Sequence, residues 1–460
     1  MIDERGIGSL LTAAKSPDQG LVREILAKAG EGKGLTPQET APLLQCDDKD
    51  LVGQIFQTAS RVKEQIYGKR MVLFAPLYVT NECVNNCLYC GFRKDNTGLI
   101  RKTLSLPELA EEVTILENTG HKRILMVFVE HPKYANIDFI EQAIDRAYSV
   151  KTEKGEIRRI NVNLAPLSLE DFKRLKAAKI GTYQAFQETY HRETYKKMHP
   201  SGKKADYDWR LSAFDRAQQA GIDDLGAGVL FGLYDYKFEV LALLFHSMHL
   251  EKEYRSGPHT ISVPRLEPAL NAPAANQPPH PVSDYEFKKL VAIIRLAVPY
   301  TGMILSTRES AALRNELIGL GISQLSAGSR TYPGGYKDQS AHVAVEEQFQ
   351  IEDDRTLDQV INDLCVIGHI PSFCTACYRL GRTGEHFMGF AKTGFIREFC
   401  TPNALLTFKE YLLDHASSAT REIGERVLTE HLAEMKNEPA LGKTKEKLSQ
   451  LEQGARDLYF

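Results

Sequence analysis

The sequence predicts a complete (β/α)8 barrel, flanked by a helical extension of residues 1–70 and a helical region of residues 336–460. Three observations predict it. Eight short β-prone apolar runs follow one another between residues 71 and 330. Longer amphipathic stretches separate them, and the pattern breaks on both sides. Eight such units over about 260 residues match the size and repeat of a closed barrel.

Residues 1–70 read as helical. Leu21 with Ile25 and Leu51 with Ile55 fall on helical spacing, and Thr36-Pro37-Gln38-Glu39 has the form of a capping box with proline in the first turn. The strand runs are 71–80, 123–130, 157–166, 181–190, 224–233, 259–268, 302–309 and 323–330. Their near-continuous apolar character suits a parallel sheet covered on its outer face. Helical stretches lie between them, with Ser105, Ser168, Asp208 and Ser283 as their expected caps. An open doubly wound sheet would show fewer units and a glycine-rich phosphate loop after the first strand, and the sequence has neither. After residue 335 a polar stretch, YKDQSAHVAVEEQFQIEDDR, reads as a loop. The remainder reads as helices ending in a charged, partly mobile tail. The barrel domain is therefore placed at 71–335.

The composition narrows the function. The 460-residue chain is 43% hydrophobic, enough for a large core, and its formal charge of −3 provides no basic field for nucleic acid. No apolar run approaches the roughly 20 residues that span a bilayer. The amino-terminal segment has early acids and no apolar core, so no secretory signal is expected and the chain is placed in the cytoplasm. In that reducing setting clustered cysteines point to metal binding or catalysis.

Six of the eight cysteines fall into two triplets. The first is Cys83-x3-Cys87-x2-Cys90, directly after the first strand run. The second is Cys374-x2-Cys377-x22-Cys400, outside the barrel. A cubane 4Fe–4S cluster usually takes four cysteines, so each triplet leaves one iron open to another ligand. A structural zinc site wants four ligands; no histidine lies near the first triplet before His121, whereas His386 could complete a site at the second.

The first spacing, with Tyr89 before its last cysteine, resembles the signature of the radical S-adenosylmethionine superfamily. The resemblance implies a 4Fe–4S cluster whose open iron binds the amino and carboxylate groups of S-adenosylmethionine. One electron from the cluster then breaks the sulfonium S–C bond and yields a 5′-deoxyadenosyl radical. Glu130, after the second strand, fits the acid that such enzymes place near the cofactor, although Val129 stands where a glycine is common. Arg159, Asn163, Gln187 and Glu188 are polar residues on strands three and four. They are candidate cofactor contacts or partners of one another.

The segments SFCTACYR, GRTGEHFM and FCTPNALLTF closely resemble the carboxyl-terminal domain of the HydG family of FeFe-hydrogenase maturases. GEIRRINVN, FQETYHRETY, GIDDLGAGVLFGLYD, GPHTIS, VPYTGMIL and AGSR extend the resemblance through the barrel. The ThiH family of thiamine thiazole synthesis shares the barrel but lacks the second cysteine set, and is the alternative. A carrier that only holds and transfers iron–sulfur clusters is the alternative from another class.

What the HydG resemblance implies is a two-site lyase. The radical attacks L-tyrosine at its amino group, and the Cα–Cβ bond breaks to p-cresol and dehydroglycine. At a second 4Fe–4S cluster the fragment becomes carbon monoxide and cyanide, captured as an iron–carbonyl–cyanide unit for the hydrogenase. That cluster carries a labile fifth iron linked with a cysteine molecule and held by a protein histidine, for which His259 is the candidate and His386 the competitor. Ser329 and Arg330 are the candidates for gripping the tyrosine carboxylate, with Arg308 as the alternative. A reduced electron donor and other maturation proteins are the implied partners, and an anaerobic organism the implied source. If the two clusters occupy opposite ends of the barrel, a strand length puts them on the order of 20 Å apart. Cys46 and Cys365 are read as leftovers, Cys365 as a small buried hydrophobe. Trp209 is read as a helix-packing residue, and the proline-rich stretch 272–284 as a loop.

Overall fold

The computed structural model describes residues 1–338 and 345–460. Eight parallel strands form the barrel: β1 (Arg70–Thr80), β2 (Arg123–Phe128), β3 (Arg159–Asn163), β4 (Tyr183–Glu188), β5 (Leu225–Val229), β6 (Thr260–Ser262), β7 (Gly302–Leu305) and β8 (Gln324–Ser326). Seven fall within an expected run, and β1 begins one residue before its own. Neighbours pair in chain order, and β8 returns to pair with β1 through Val72–Gln324, Leu73–Leu325 and Phe74–Ser326. That closure excludes the open sheet.

Alternation along the strands separates two environments. Met71, Leu73, Ala75 and Leu77 of β1 face the helices and join the main hydrophobic core with Ile124, Ile160, Tyr183, Leu225 and Ile261. Residues of the opposite parity face the barrel axis, and many are polar or glycine. Phe74, Leu125 and Ile304 form a small separate apolar cluster. Gly228 is required there, because a Cβ at that position would lie 2.4 Å from the Phe186 ring.

The expected caps at Ser105, Ser168 and Ser283 are observed, each accepting a backbone N–H, with full capping boxes at Ser105 and Ser283 and also at Thr36. Asp208 is not a cap. Asp206 takes that role by accepting from the Trp209 N–H, so helix Tyr207–Leu211 begins one residue before Asp208. Trp209 is 38% exposed and lies under the Arg216 guanidinium, 3.5 Å from the ring centroid. The proline-rich stretch 272–284 contains one short helix, Pro273–Asn276.

The amino-terminal extension forms four helices, Glu4–Ala13, Gln19–Ala29, Pro37–Gln45 and Lys49–Tyr67. They dock on the barrel's outer helices. The buried Lys289 ammonium, on helix Asp284–Ala297, donates to the Leu44 carbonyl at 3.0 Å.

The carboxyl-terminal region departs from expectation in two ways. First, Ile370–Ser372 is a ninth strand, β9, paired in parallel with the opening of β1 through Arg70–Ile370, Met71–Pro371 and Val72–Ser372. Second, the tail is ordered: helix Glu438–Glu452 buries Leu448 and Leu451, and Glu452 pairs with Lys409 at 2.8 Å. Of the expected loop after residue 335, residues 339–344 lie outside the described residues.

Candidate functional site

β1 delivers the first cysteine triplet to the carboxyl mouth of the barrel. The loop that follows it is fastened at several points. The Val84 N–H donates to the Glu130 carbonyl at 2.9 Å and the Asn85 side-chain amide to the Glu130 carboxylate at 2.8 Å. The Leu88 N–H donates to the Met198 carbonyl at 3.0 Å. The Arg101 guanidinium collects the carbonyls of Asn81, Phe92 and Arg93 at 2.7–2.9 Å. A loop held this way presents its thiols in fixed directions.

Cys83, Cys87 and Cys90 line one wall of a cavity that reaches down to Phe74, Leu125 and Ile304. Burial pushes the Cys87 thiol up to about 12 and raises that of Cys90. Such thiols stay protonated without a metal, and a cluster that binds them as thiolates supplies the missing stabilisation. Donors already aim at the sulfurs: the Gln348 amide lies 3.6 Å from the Cys90 Sγ and the Asn85 N–H 3.5 Å from that of Cys83. Among the described residues no three His, Cys, Asp or Glu side chains converge as a single metal ion requires. Three thiols around a shared space suit the spread irons of a cubane.

The same cavity gathers Tyr89, Glu130, Asn163, Glu188, Arg308 and Ser329. Tyr89 is buried and its hydroxyl meets the His199 Nε2 at 2.7 Å. Glu188 stands in the left-handed region, φ 70°, where a non-glycine residue is strained and signals a constrained site. Its carboxylate lies 2.5 Å from the Lys204 ammonium and 3.8 Å from the Arg210 guanidinium.

Three candidates are not brought there. Gln187 lies between Phe186 and Glu188, both of which line the cavity, and strand alternation turns it away. Arg330 directs its guanidinium back to the Ser329 carbonyl at 3.2 Å, so of these two candidates Arg308 is the one that lines the cavity. Arg159 opens β3, four residues and about 13 Å before Asn163, at the other mouth.

The structure adds residues that the sequence reading missed. The Tyr78 hydroxyl donates to the Gln348 Oε1 at 2.7 Å, linking β1 to the cavity rim. Tyr78 shares the inward parity of Phe74 and Pro76, a signal that was available. Lys204, Arg210 and Gln348 carry none, because they lie outside the strands.

The second triplet sits at the amino mouth, since β9 lies along the start of β1 and runs directly into Cys374. The Arg123 guanidinium, opening β2, donates to the Cys374 carbonyl at 3.1 Å, and the Ala376 N–H points at the Cys374 Sγ at 3.4 Å. Cys400 is buried on helix Ile396–Asp414. Arg70 lies in the field of all three sulfurs, which hold its guanidinium charged against burial. Burial pushes the Cys377 thiol up to about 12, the same condition as at the first triplet.

His259 lies at this mouth, its ring centroid 3.9 Å from that of Phe387 and 6.2 Å from that of Tyr378, the neighbour of Cys377. Its Nδ1 stands 3.6 Å from the Asp224 carboxylate, and burial lowers its pKa toward the neutral, ligating form. His386 is exposed on helix Gly384–Lys392, whereas His259 is buried at this mouth. Cys46 and Cys365 are both buried within the main hydrophobic core.

The chain is similar to known proteins in a way that fits this layout. Residues 77–244 match the radical SAM superfamily and residues 262–370 the biotin and thiamin synthesis associated domain. A crystal structure of HydG, a maturase of the [FeFe]-hydrogenase, superposes with a TM-score of 0.96 at 51% identity, covering 100% of this chain and 99% of that one. The chain belongs to the HydG family. The HydG maturase of Carboxydothermus hydrogenoformans is 41% identical, with a TM-score of 0.84 over 97% of this chain and 100% of that one. The 2-iminoacetate synthase of Escherichia coli is 31% identical over 352 residues, 76% of this chain and 90% of its own. As a radical SAM lyase of the HydG family the chain uses a 4Fe–4S cluster and S-adenosylmethionine, and the first triplet is the set whose thiols fit that cluster. Among the described residues no helix is long and apolar enough to cross a membrane.

Proposed function

We propose that the chain cleaves the Cα–Cβ bond of L-tyrosine to p-cresol and dehydroglycine at the carboxyl mouth. The fragment then becomes carbon monoxide and cyanide at the amino mouth, supplying an iron–carbonyl–cyanide unit to [FeFe]-hydrogenase assembly. The observation that carries this reading is the placement of two cysteine triplets at opposite mouths of one barrel whose interior is lined by polar groups and glycines.

At the carboxyl mouth Cys83, Cys87 and Cys90 hold the cluster. With S-adenosylmethionine bound, that cluster supplies the 5′-deoxyadenosyl radical. Glu130, Asn163 and Glu188 bind the cofactor's polar groups, Glu130 from a position fixed by Asn85. Arg308 grips the tyrosine carboxylate, and Ser329 donates a hydrogen bond beside it. The apolar layer of Phe74, Leu125 and Ile304 bounds the chamber from below and keeps bulk water from the radical.

At the amino mouth Cys374, Cys377 and Cys400 hold a second 4Fe–4S cluster, and His259 helps hold a labile fifth iron that carries a bound cysteine. Housing both sites in one barrel lets carbon monoxide and cyanide meet iron before they reach bulk solvent. The relatives support each half: one is named for making 2-iminoacetate, another as a hydrogenase maturase. A reduced electron donor and other maturation proteins complete the scheme.

Anaerobic incubation with S-adenosylmethionine, dithionite and L-tyrosine tests the first half. We expect 5′-deoxyadenosine and p-cresol; absence of both from cluster-loaded protein overturns the lyase reading and favours a cluster carrier. A lyase confined to the first chemistry, like the thiamine enzyme, would release p-cresol without carbon monoxide. The second triplet argues against it.

A further inference from the structure

The loop that carries the first triplet is backed by a basic segment. The Asn86 N–H donates to the Ser201 carbonyl at 3.2 Å and the Leu88 N–H to the Met198 carbonyl at 3.0 Å, so the two residues that flank Cys87 both hold this segment. The Lys204 N–H donates to the Asn85 Oδ1 at 2.9 Å, and the Lys94 N–H to the Asn85 carbonyl at 2.7 Å. A Cβ on Gly202, whose φ is 97°, would lie 2.3 Å from the Asn85 Oδ1, so glycine is what lets the two segments touch.

Lysines gather on these contacts. Residues 192–204 hold five Lys or Arg and one Glu, within a chain of formal charge −3. Two of the five are paired: Lys204 turns inward to Glu188 at 2.5 Å, and Arg192 meets Asp208 at 2.6 Å. Lys196, Lys197 and Lys203 are exposed, as is Lys94, and among the described residues none of these four ammonium groups meets an acceptor. Nearby acids are engaged elsewhere. Asp95 accepts from the Asn86 side-chain amide at 2.6 Å, and Asp206 caps the Trp209 N–H at 2.9 Å. Lys196 and Lys197 suit the carboxyl end of their own helix, Arg192–Met198, but that role does not account for Lys94 and Lys203 on other segments. Each of the four lies at, or within two residues of, a backbone group bonded to the Cys83–Cys90 loop.

We propose that Lys94, Lys196, Lys197 and Lys203 form the docking surface for an acidic one-electron carrier protein, an iron–sulfur or flavin carrier, that reduces the first cluster. The inference rests on the reading above, which requires a reduced donor. One electron passes: the carrier is oxidised, the cluster is reduced, and no bond forms or breaks at the surface. The surface stands one loop layer from Cys87. Electron-transfer encounters bury little area and are steered by charge, so unpaired lysines beside the cluster loop are what such a partner needs.

The test uses the cluster-loaded protein, with an acidic plant-type 2Fe–2S ferredoxin as the probe. Calorimetric titration measures binding of the oxidised ferredoxin, and rapid quench measures 5′-deoxyadenosine formed with the reduced one. In the wild type both binding and rate should fall at least tenfold as salt rises from about 20 to about 200 mM. Combining Lys94→Glu, Lys197→Glu and Lys203→Glu should weaken binding and slow the ferredoxin-driven rate at least tenfold at the lower salt, and remove most of the salt dependence. Lys94→Gln with Lys203→Gln, which only removes charge, should fall between that variant and the wild type. With photoreduced deazaflavin, a small uncharged reductant, every variant should stay within about twofold of the wild type. The same reversal at Lys436, Lys443 and Lys445, exposed in the carboxyl-terminal region, should leave ferredoxin binding unchanged. Thermal midpoints establish that each variant is folded. Ferredoxin binding that is absent from the wild type, equal in the first variant, or equally lost in the carboxyl-terminal control overturns the proposal. An equal loss of rate with deazaflavin also overturns it, since the lysines would then act on the cluster and not on its donor. Anionic lipid vesicles that bind the wild type but not the first variant, with ferredoxin binding unchanged, would assign the lysines to a membrane surface instead. If the wild type makes no p-cresol, the lyase reading falls, while the ferredoxin titration still decides the docking surface.

Discussion

Arg70 and Ile370 are paired across β1 and β9, so the strand that ends three residues before Cys83 begins alongside the strand that leads into Cys374. One strand therefore sets the separation of the two cysteine sets. Its 11 residues give a span of about 33 Å along the backbone, enough to join the two mouths.

Because the two triplets sit at opposite mouths, their clusters should be separable. Cys87→Ala should abolish 5′-deoxyadenosine formation while lowering the anaerobic iron count by about half. Electron paramagnetic resonance should retain one cluster signal. Loss of both signals would mean the two sites do not load independently.

The complementary change acts downstream. Replacing Cys374 and Cys377 with alanine should leave p-cresol formation running while carbon monoxide release falls sharply. Carbon monoxide trapped as its haem complex measures this, and unchanged output would remove the second cluster from the mechanism.

The two candidate arginines differ in placement, so they should differ in effect. Arg308→Gln should raise the KM for tyrosine by about 10- to 100-fold, the loss of a charge-assisted hydrogen bond of roughly 1.5–3 kcal/mol. Arg330→Gln should change it far less. The reverse order would return the carboxylate to Arg330.

Glu239 provides a pH signature. It is fully buried, accepts from the Thr189 hydroxyl and from the Tyr190 N–H at 2.8 Å, and burial pushes its carboxyl up to about 8. Between pH 4.5 and 8 the folded state keeps a proton that the unfolded state releases, so this group makes stability fall as pH rises and its penalty is complete above pH 8. Glu239→Gln should therefore gain about 4 kcal/mol on the wild type between pH 5 and pH 9, read from thermal midpoints at both. A constant difference across that range would show that Glu239 does not titrate on unfolding.

Inside the barrel, Gly228→Ala should cost about 1–3 kcal/mol, because the new methyl group meets the Phe186 ring. Pairing it with Phe186→Leu should recover part of the loss, and a lowered thermal midpoint without such recovery would point to backbone strain in β5.

The barrel was legible because its strands are buried on both faces and so appear as apolar runs, and the caps at Ser105 and Ser283 because their partners lie three residues away. β9 was not legible. Ile-Pro-Ser has no alternation and carries a proline, and only its pairing with β1 makes it a strand. The first triplet was legible from spacing alone. Ser329, Arg330 and Arg308 were not separable, since which of them faces inward depends on how β7 and β8 end. Arg159 illustrates the same limit: a polar residue on a barrel strand announces that it faces something, but not which mouth it faces. His259 directly precedes β6, and that position puts it at the amino mouth with the second triplet.

β9 has a consequence for how this architecture can be taken apart. The segment carrying the second cysteine set is stitched into the barrel wall by a hydrogen-bonded ladder, so it is no detachable module on a tether. Cutting the chain after residue 366 would strip the ladder from Arg70–Val72 and bare a short edge at the start of β1 while the β8–β1 closure stays intact, a small surface prone to self-association. A truncated barrel made to study the first reaction alone would thus aggregate unless that edge were capped, whereas cysteine-to-alanine changes leave the seam intact.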